Sequence, residues 1–249
     1  MRFTAPLLSL LIPFTVLAQD TLRQSTHNNN GWYMYFGDHA VKGKWRLHLE
    51  GQWRRHDLAA RWQQLLLRPG VNYELNPNVM LTGGYAYIDT HRYGAFPVRH
   101  PFQEHRLFQQ LILRHKAGKV DFQHRYRLEQ RWLEESLDLP GGAVERQRWR
   151  YQNRFRYFVK ASIPLSRDPA SPWYLGLYDE IFVGFAPNAG ASLFDQNRAY
   201  AALGYKLNRT TRVEFGYLQQ TLAQRNGRII EYNHTLALSI FSGLPFRRK

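Results

Sequence analysis

The chain of 249 residues contains no cysteine. That removes disulfide frameworks, thiolate metal sites, iron–sulfur clusters and thiol nucleophiles together. Acidic residues are scarce, 19 Asp plus Glu against 34 Lys plus Arg, for a formal charge of +15. Past the first twenty residues there is no long apolar run, and mean hydropathy is −0.52, so transmembrane helices are excluded. No HExxH, Walker loop or GxSxG occurs, and the residues call for no metal and no cofactor. What the chain does have is aromatic: 15 Tyr, 15 Phe and 7 Trp, too many for a disordered polymer.

The one apolar run, Pro6 to Ala18, follows Arg2 and ends on Val16-x-Ala18, a pattern that suits signal-peptidase cleavage. Roughly 18 residues interrupted by Pro13 are too short and too broken for a membrane span. Residues 1–18 therefore read as a cleaved secretory signal, and 19–249 as a single exported domain.

From residue 30 onward the dominant period is two, which gives a strand two chemically different faces. Val120 to Trp132 sets Val120, Phe122, Tyr126, Leu128 and Trp132 on one side against Asp121, Arg125, Arg127, Glu129 and Arg131 on the other. The stretch from Arg148 to Ile163 does the same, with Trp149, Tyr151, Phe155, Tyr157 and Val159 opposite Arg148, Arg150, Arg154, Arg156 and Lys160. Strands of ten or more residues exceed the usual five or six of soluble sheets and match the roughly 9–11 needed to cross a bilayer at a tilt. A lipid-facing sheet must close, because an open edge leaves backbone groups unpaired in hydrocarbon. The expected fold is all-β: an antiparallel up-and-down transmembrane β-barrel of ten to twelve strands. Eleven segments can be traced, starting at 31–37, and either 20–30 adds a twelfth or 31–37 lies partly outside the ladder. Tight turns near Gly43, Pro77, Gly118 and Arg209 alternate with longer stretches at 90–103, 134–145, 186–193 and 223–231, the asymmetry of outer-membrane barrels.

With apolar faces outward, the lumen is strongly basic. Arg125, Arg127, Arg131, Arg148, Arg150, Arg154 and Arg156 fall on neighbouring strands and face one interior, about 5 Å apart across the pair. Like charges that close are costly unless carboxylates or a bound anion bridge them. Two readings follow. Either Glu50, Glu104, Glu180 and Glu214 reach the arginines and seal the barrel, or these seven arginines bind and pass small anions or acidic glycan or lipid headgroups. The expected partners are otherwise outer-membrane lipid and, during biogenesis, the barrel-assembly machinery. Cations alternating with outward aromatics in an exported chain argue against nucleic acid.

An alternative is a hydrolase at the barrel rim. Asp89 and His91 share a face at a strand end, and His105 opens the next strand, a carboxylate–imidazole set with acid–base capacity. Asp179 and Glu180 are adjacent, so they point to opposite faces and cannot share a proton.

Seven stretches stand out: Gly31-Trp32-Tyr33-Met34-Tyr35-Phe36-Gly37-Asp38-His39, Leu66-Leu67-Arg68-Pro69-Gly70-Val71-Asn72-Tyr73, Gly84-Tyr85-Ala86-Tyr87, Glu104-His105-Arg106-Leu107, His124-Arg125-Tyr126-Arg127-Leu128-Glu129-Gln130-Arg131, Asn153-Arg154-Phe155-Arg156-Tyr157 and Phe194-Asp195-Gln196-Asn197-Arg198. Together they resemble an exported family of Gram-negative bacteria, the domain of unknown function twenty-four ninety. The resemblance implies an outer-membrane barrel and carries over no catalytic residues.

Overall fold

The computed structural model describes residues 23–142, 144–185 and 191–246, without the side chains of Arg146 and Gln147; the signal segment expected at 1–18 lies outside the described residues. Eleven strands follow one another: β1 (Gln24–Lys42), β2 (Trp45–His56), β3 (Arg61–Asn76), β4 (Val79–Thr90), β5 (Phe102–Ala117), β6 (Val120–Asp138), β7 (Val144–Pro164), β8 (Trp173–Phe185), β9 (Phe194–Lys206), β10 (Thr211–Ala223) and β11 (Ile229–Ser242). Each pairs with its sequence neighbours, and β1 meets β11 to close the barrel. A meander of eleven leaves its first and last strands running the same way. The closing pair β1·β11 is therefore parallel, while the other pairs are antiparallel.

Two expectations about boundaries need correcting. Residues 24–30 supply no twelfth strand; they lengthen β1, pairing with Ile229–Thr235. The stretch 134–145 is mostly not a loop, because β6 and β7 stay paired up to Asp138 and Val144. The first segment is polar on each face, and the second mixes Glu134, Glu135, Ser136 and Asp138 with Leu137, Pro140 and two glycines, so neither shows the apolar alternation by which the other strands are read.

At one end the connections are short, apart from 165–172. Gly43 and Gly118 occupy φ +55° and +58° there, values a glycine adopts without steric cost. At the other end lie the connections at 57–60, 91–101, 139–143, 186–193 and 224–228. The outer wall is apolar and solvent-facing: Leu67, Val71, Leu81, Leu107, Phe155, Leu203, Phe215 and Leu236 are all exposed. Aromatic pairs edge this band, Trp45 with Tyr73 and Trp173 with Tyr205 near the short turns, Trp53 with Trp62 and Trp132 with Tyr151 towards the loops. On β2 the eight steps from Trp45 to Trp53 project to roughly 20 Å at an ordinary barrel tilt, close to the height of a membrane barrel's apolar band.

Inside, the wall is mixed. Trp32, Met34, Tyr200, Ala202, Leu218 and Ala237 form an apolar patch on β1, β9, β10 and β11. Elsewhere the buried side chains are mostly charged or amide-bearing. Space is made locally: the Phe108 ring lies against Gly84, where a Cβ would stand 2.7 Å from the ring and 2.8 Å from the Cα of Gly70.

Candidate functional site

The basic rows of β6 and β7 do meet, in a register that alternates charge. Glu129 lies opposite Arg154, and Arg127 opposite Arg156. Glu129 is completely buried and accepts from Arg154 Nε and Nη2 at 2.9 and 2.6 Å and from Arg156 Nη1 at 2.7 Å. Arg127 and Arg68 stand 3.8 Å from the same carboxylate and Arg106 4.0 Å, so five guanidiniums surround it.

Other carboxylates extend the network across the barrel. Glu180 of β8 accepts from Arg125 at 2.7 Å and from Arg156 at 2.7 and 3.0 Å. Glu104 of β5 takes both Arg106 and Arg131 in forked geometry, at 2.5 to 3.1 Å. Glu50 receives Arg68 at 2.5 Å. Glu214 receives Lys160 at 2.5 Å and the Tyr174 hydroxyl at 2.8 Å. All four acids named as bridges from the sequence thus reach cations. Forked, charge-assisted bonds of this kind are stronger and more directional than neutral ones.

The seven predicted arginines divide into two groups. Arg125, Arg127, Arg131, Arg154 and Arg156 belong to the central network. Arg127 gives Nε and Nη2 to Gln110 Oε1 at 2.8 and 2.6 Å and stacks on Phe108. Arg148 and Arg150 stand higher, at the rim, sharing the two oxygens of Glu135 at 2.9 and 2.7 Å. Arg148 is 75% exposed, so it does not face a closed interior.

Above the network, towards the loops, a cavity of about 390 Å³ opens. Among the described residues its charged lining comprises nine arginines, Arg54, Arg68, Arg106, Arg131, Arg150, Arg154, Arg156, Arg198 and Arg225, against three acids, Glu104, Asp195 and Glu231. The 91–101 connection folds over part of the mouth, bringing Tyr93, Phe96 and Val98 to the lining. The Tyr93 hydroxyl donates to Glu231 at 3.1 Å, and Gln224 donates to the Phe96 carbonyl at 2.9 Å. Burial, with the Glu231 carboxylate beside it, pushes the Tyr93 hydroxyl above the usual phenol range, so it stays a donor.

Two further arginines, Arg54 and Arg198, are buried in the inner wall. Both stack on Trp32, at 4.0 and 5.0 Å from its ring centroid. The alternation pointed them inward. That no acid neutralises Arg54 depends on contacts across the barrel, which no local pattern encodes.

The rim residues of the alternative reading are partly united. His91 Nε2 lies 3.0 Å from Asp89 Oδ2, and its ring tilts against Trp62. His105 instead meets the Tyr85 hydroxyl and packs on Trp149. Among the described residues no hydrogen bond or ring contact joins His105 to Asp89 or His91. Asp179 and Glu180 do take opposite faces, Asp179 exposed beside Asn197 and Glu180 buried in the network. No group of three or more metal-ligating side chains occurs among the described residues.

Comparison with known proteins adds a relative, a fold and a family. An uncharacterized protein of Methylorubrum extorquens is 30% identical over 187 residues, 72% of each chain. A solved porin structure, NanC in a rhombohedral crystal form, superposes with a TM-score of 0.50, covering 86% of this chain and 98% of that one at 12% identity. At that identity the likeness speaks for the barrel fold alone. A family model described as Protein of unknown function (DUF2490) matches residues 29–231. The chain, a closed porin-like β-barrel with an arginine-rich lumen, belongs to the DUF2490 family.

Proposed function

We propose that this chain is an outer-membrane protein that binds and passes small anions through its lumen, entered from the loop-rich mouth. The observation that carries this reading is the lining of the cavity, nine arginines against three carboxylates. Low-dielectric walls focus such a field and raise the local concentration of anions, and rings of Arg or Lys give pores anion preference. The exposed apolar band with aromatic edges supports a bilayer location, since soluble monomers avoid apolar patches of this size. The basic, Ala-ended apolar leader supports export by a cleaved signal. Delivery to the outer membrane of a Gram-negative bacterium by barrel-assembly machinery belongs to the same proposal.

A second reading has its own support. The Glu129 hub ties β6 to β7 with short ion pairs and reaches Arg68 of β3 at 3.8 Å, and small barrels do fill their interiors with side chains. Single-channel recording of the refolded protein under a chloride gradient separates the two. A steady anion-selective current, reduced by Arg150→Glu, is the expected result. A silent bilayer with folded protein would overturn passage and favour a sealed lumen. The rim hydrolase reading keeps a separate test: any hydrolysis detected must be lost in His91→Ala.

A further inference from the structure

The lumen cations are unequally neutralised, and the exceptions lie together. Arg54 gives Nε and Nη2 to Gln52 Oε1 at 3.0 and 2.5 Å and Nη1 to Gln64 Oε1 at 2.5 Å. These are neutral amides; among the described residues no carboxylate lies within ion-pair distance of it. Arg198 fares little better. Its Nη2 reaches Gln196 Oε1 at 3.4 Å, and its Nε is buried with no partner. Its ion pair with Glu180 is long, 4.0 Å from Nη1 to Oε2, on a carboxylate whose other oxygen accepts from Arg125 and Arg156.

The acids of the cavity are committed elsewhere. Glu104 is held by Arg106 and Arg131, Asp195 by Arg154, and Glu231 by Tyr93 and Gln224. Arg54, with no carboxylate partner among the described residues, and the weakly paired Arg198 stack on one indole, that of Trp32, which is itself fully buried and anchored by Nε1 to Gln63 at 2.8 Å. Cation–π contact holds a guanidinium in place but does not cancel its charge. A buried cation without a counter-charge is costly, and a bound anion relieves that cost.

Resting on the anion-binding reading above, we infer that Arg54 and Arg198, braced on Trp32, form a subsite for one small oxyanion group, a carboxylate or a phosphate, on a body small enough for the cavity. The volume of about 390 Å³ lies at the small-ligand end of known pockets. The amides beside Arg54 offer it their oxygens and give their own donors to Glu50 and Thr90, so Nη1 and Nη2 each keep one N–H for a ligand.

Isothermal titration of the detergent-folded barrel with inorganic phosphate and with D-glucuronate tests this, with glucose as the neutral control. Wild type should bind at least one of the two anions and not glucose; which one binds tells phosphate from carboxylate. Arg54→Gln and Arg198→Gln should each weaken binding about tenfold to a hundredfold, the worth of one charge-assisted contact. Lys116→Gln, at an exposed cation paired with Asp121 outside the cavity, should change it little. Anion binding that survives both wall substitutions but falls with Arg150→Gln overturns the subsite and leaves the general reading standing. No binding of either anion by folded wild type overturns both. The heat-dependent gel shift shows that each variant is folded, and two independent wall substitutions guard against one failing.

Discussion

Arg156 and Arg54 are both buried arginines in one lumen, yet their surroundings differ completely. Arg156 sits between Glu129 and Glu180, with three contacts of 3.0 Å or less to their oxygens. Arg54 meets only the amides of Gln52 and Gln64 and the face of Trp32. The centre of the barrel is thus a charge system that ties neighbouring strands together, Arg156 of β7 joining Glu129 of β6 to Glu180 of β8, whereas the wall around Trp32 leaves Arg54 with no carboxylate among the described residues. The same side chain cross-braces a barrel in one setting and recruits a ligand in the other. What separates them is the supply of carboxylates.

The sharpest way to break the central network is Glu129→Ala. It strands Arg154 and Arg156 without their shared partner, and removing one side of a buried ion pair costs about 3–5 kcal/mol. The expected outcome is a large fall in the midpoint of the heat-dependent gel shift. A somewhat smaller effect belongs to the outer wall. Leu67→Arg puts a charge on the exposed apolar band, and at a bilayer midplane this costs about 2–4 kcal/mol; unfolding in lipid vesicles measures it. An unchanged stability there contradicts a lipid-facing wall.

Weaker still is the rim. Glu135→Gln removes a partner of Arg148 and Arg150 that is itself partly exposed, so the loss in denaturant unfolding should stay below about 1 kcal/mol. Last comes His91→Ala on the outer face, expected to change stability by no more than about 0.5 kcal/mol. If the rim substitution matched Glu129→Ala, the distinction between a bracing centre and a solvated mouth would fail.

Much of this molecule is legible in its residues, and the parts that are not share a cause. Val120 to Trp132 and Trp149 to Ile163 display both faces openly, because lipid-type and lumen-type residues alternate there without interruption. The acids Glu50, Glu104, Glu180 and Glu214 could be named as bridges from the same alternation. Gln24–Asn30 could be offered only as a separate twelfth strand and not as part of β1, since Ser-Thr-His-Asn-Asn-Asn shows no apolar face that continues the next strand; it is held by main-chain pairing to β11. The Arg54–Trp32–Arg198 arrangement was hidden for a different reason. It joins β2, β1 and β9 through the interior, and closure of the barrel, not local sequence, decides which side chains meet there. Arg148 follows the inward parity of Arg150 and Arg154 but stands above the enclosed part of the barrel. Height along a strand matters as much as face.

The most direct measurement makes one substitution at two places. Arg156→Gln and Arg54→Gln remove the same charge from the same lumen, and the unfolding free energies of both variants in one detergent can be set beside wild type. The Arg156 variant should lose about 3–5 kcal/mol, because it leaves Glu129 and Glu180 short of a partner. The Arg54 variant should shift by less than about 1 kcal/mol in either direction, since it deprives no carboxylate and spares the burial of an unpaired charge. Equal losses at the two positions would contradict the division between bracing and recruiting arginines.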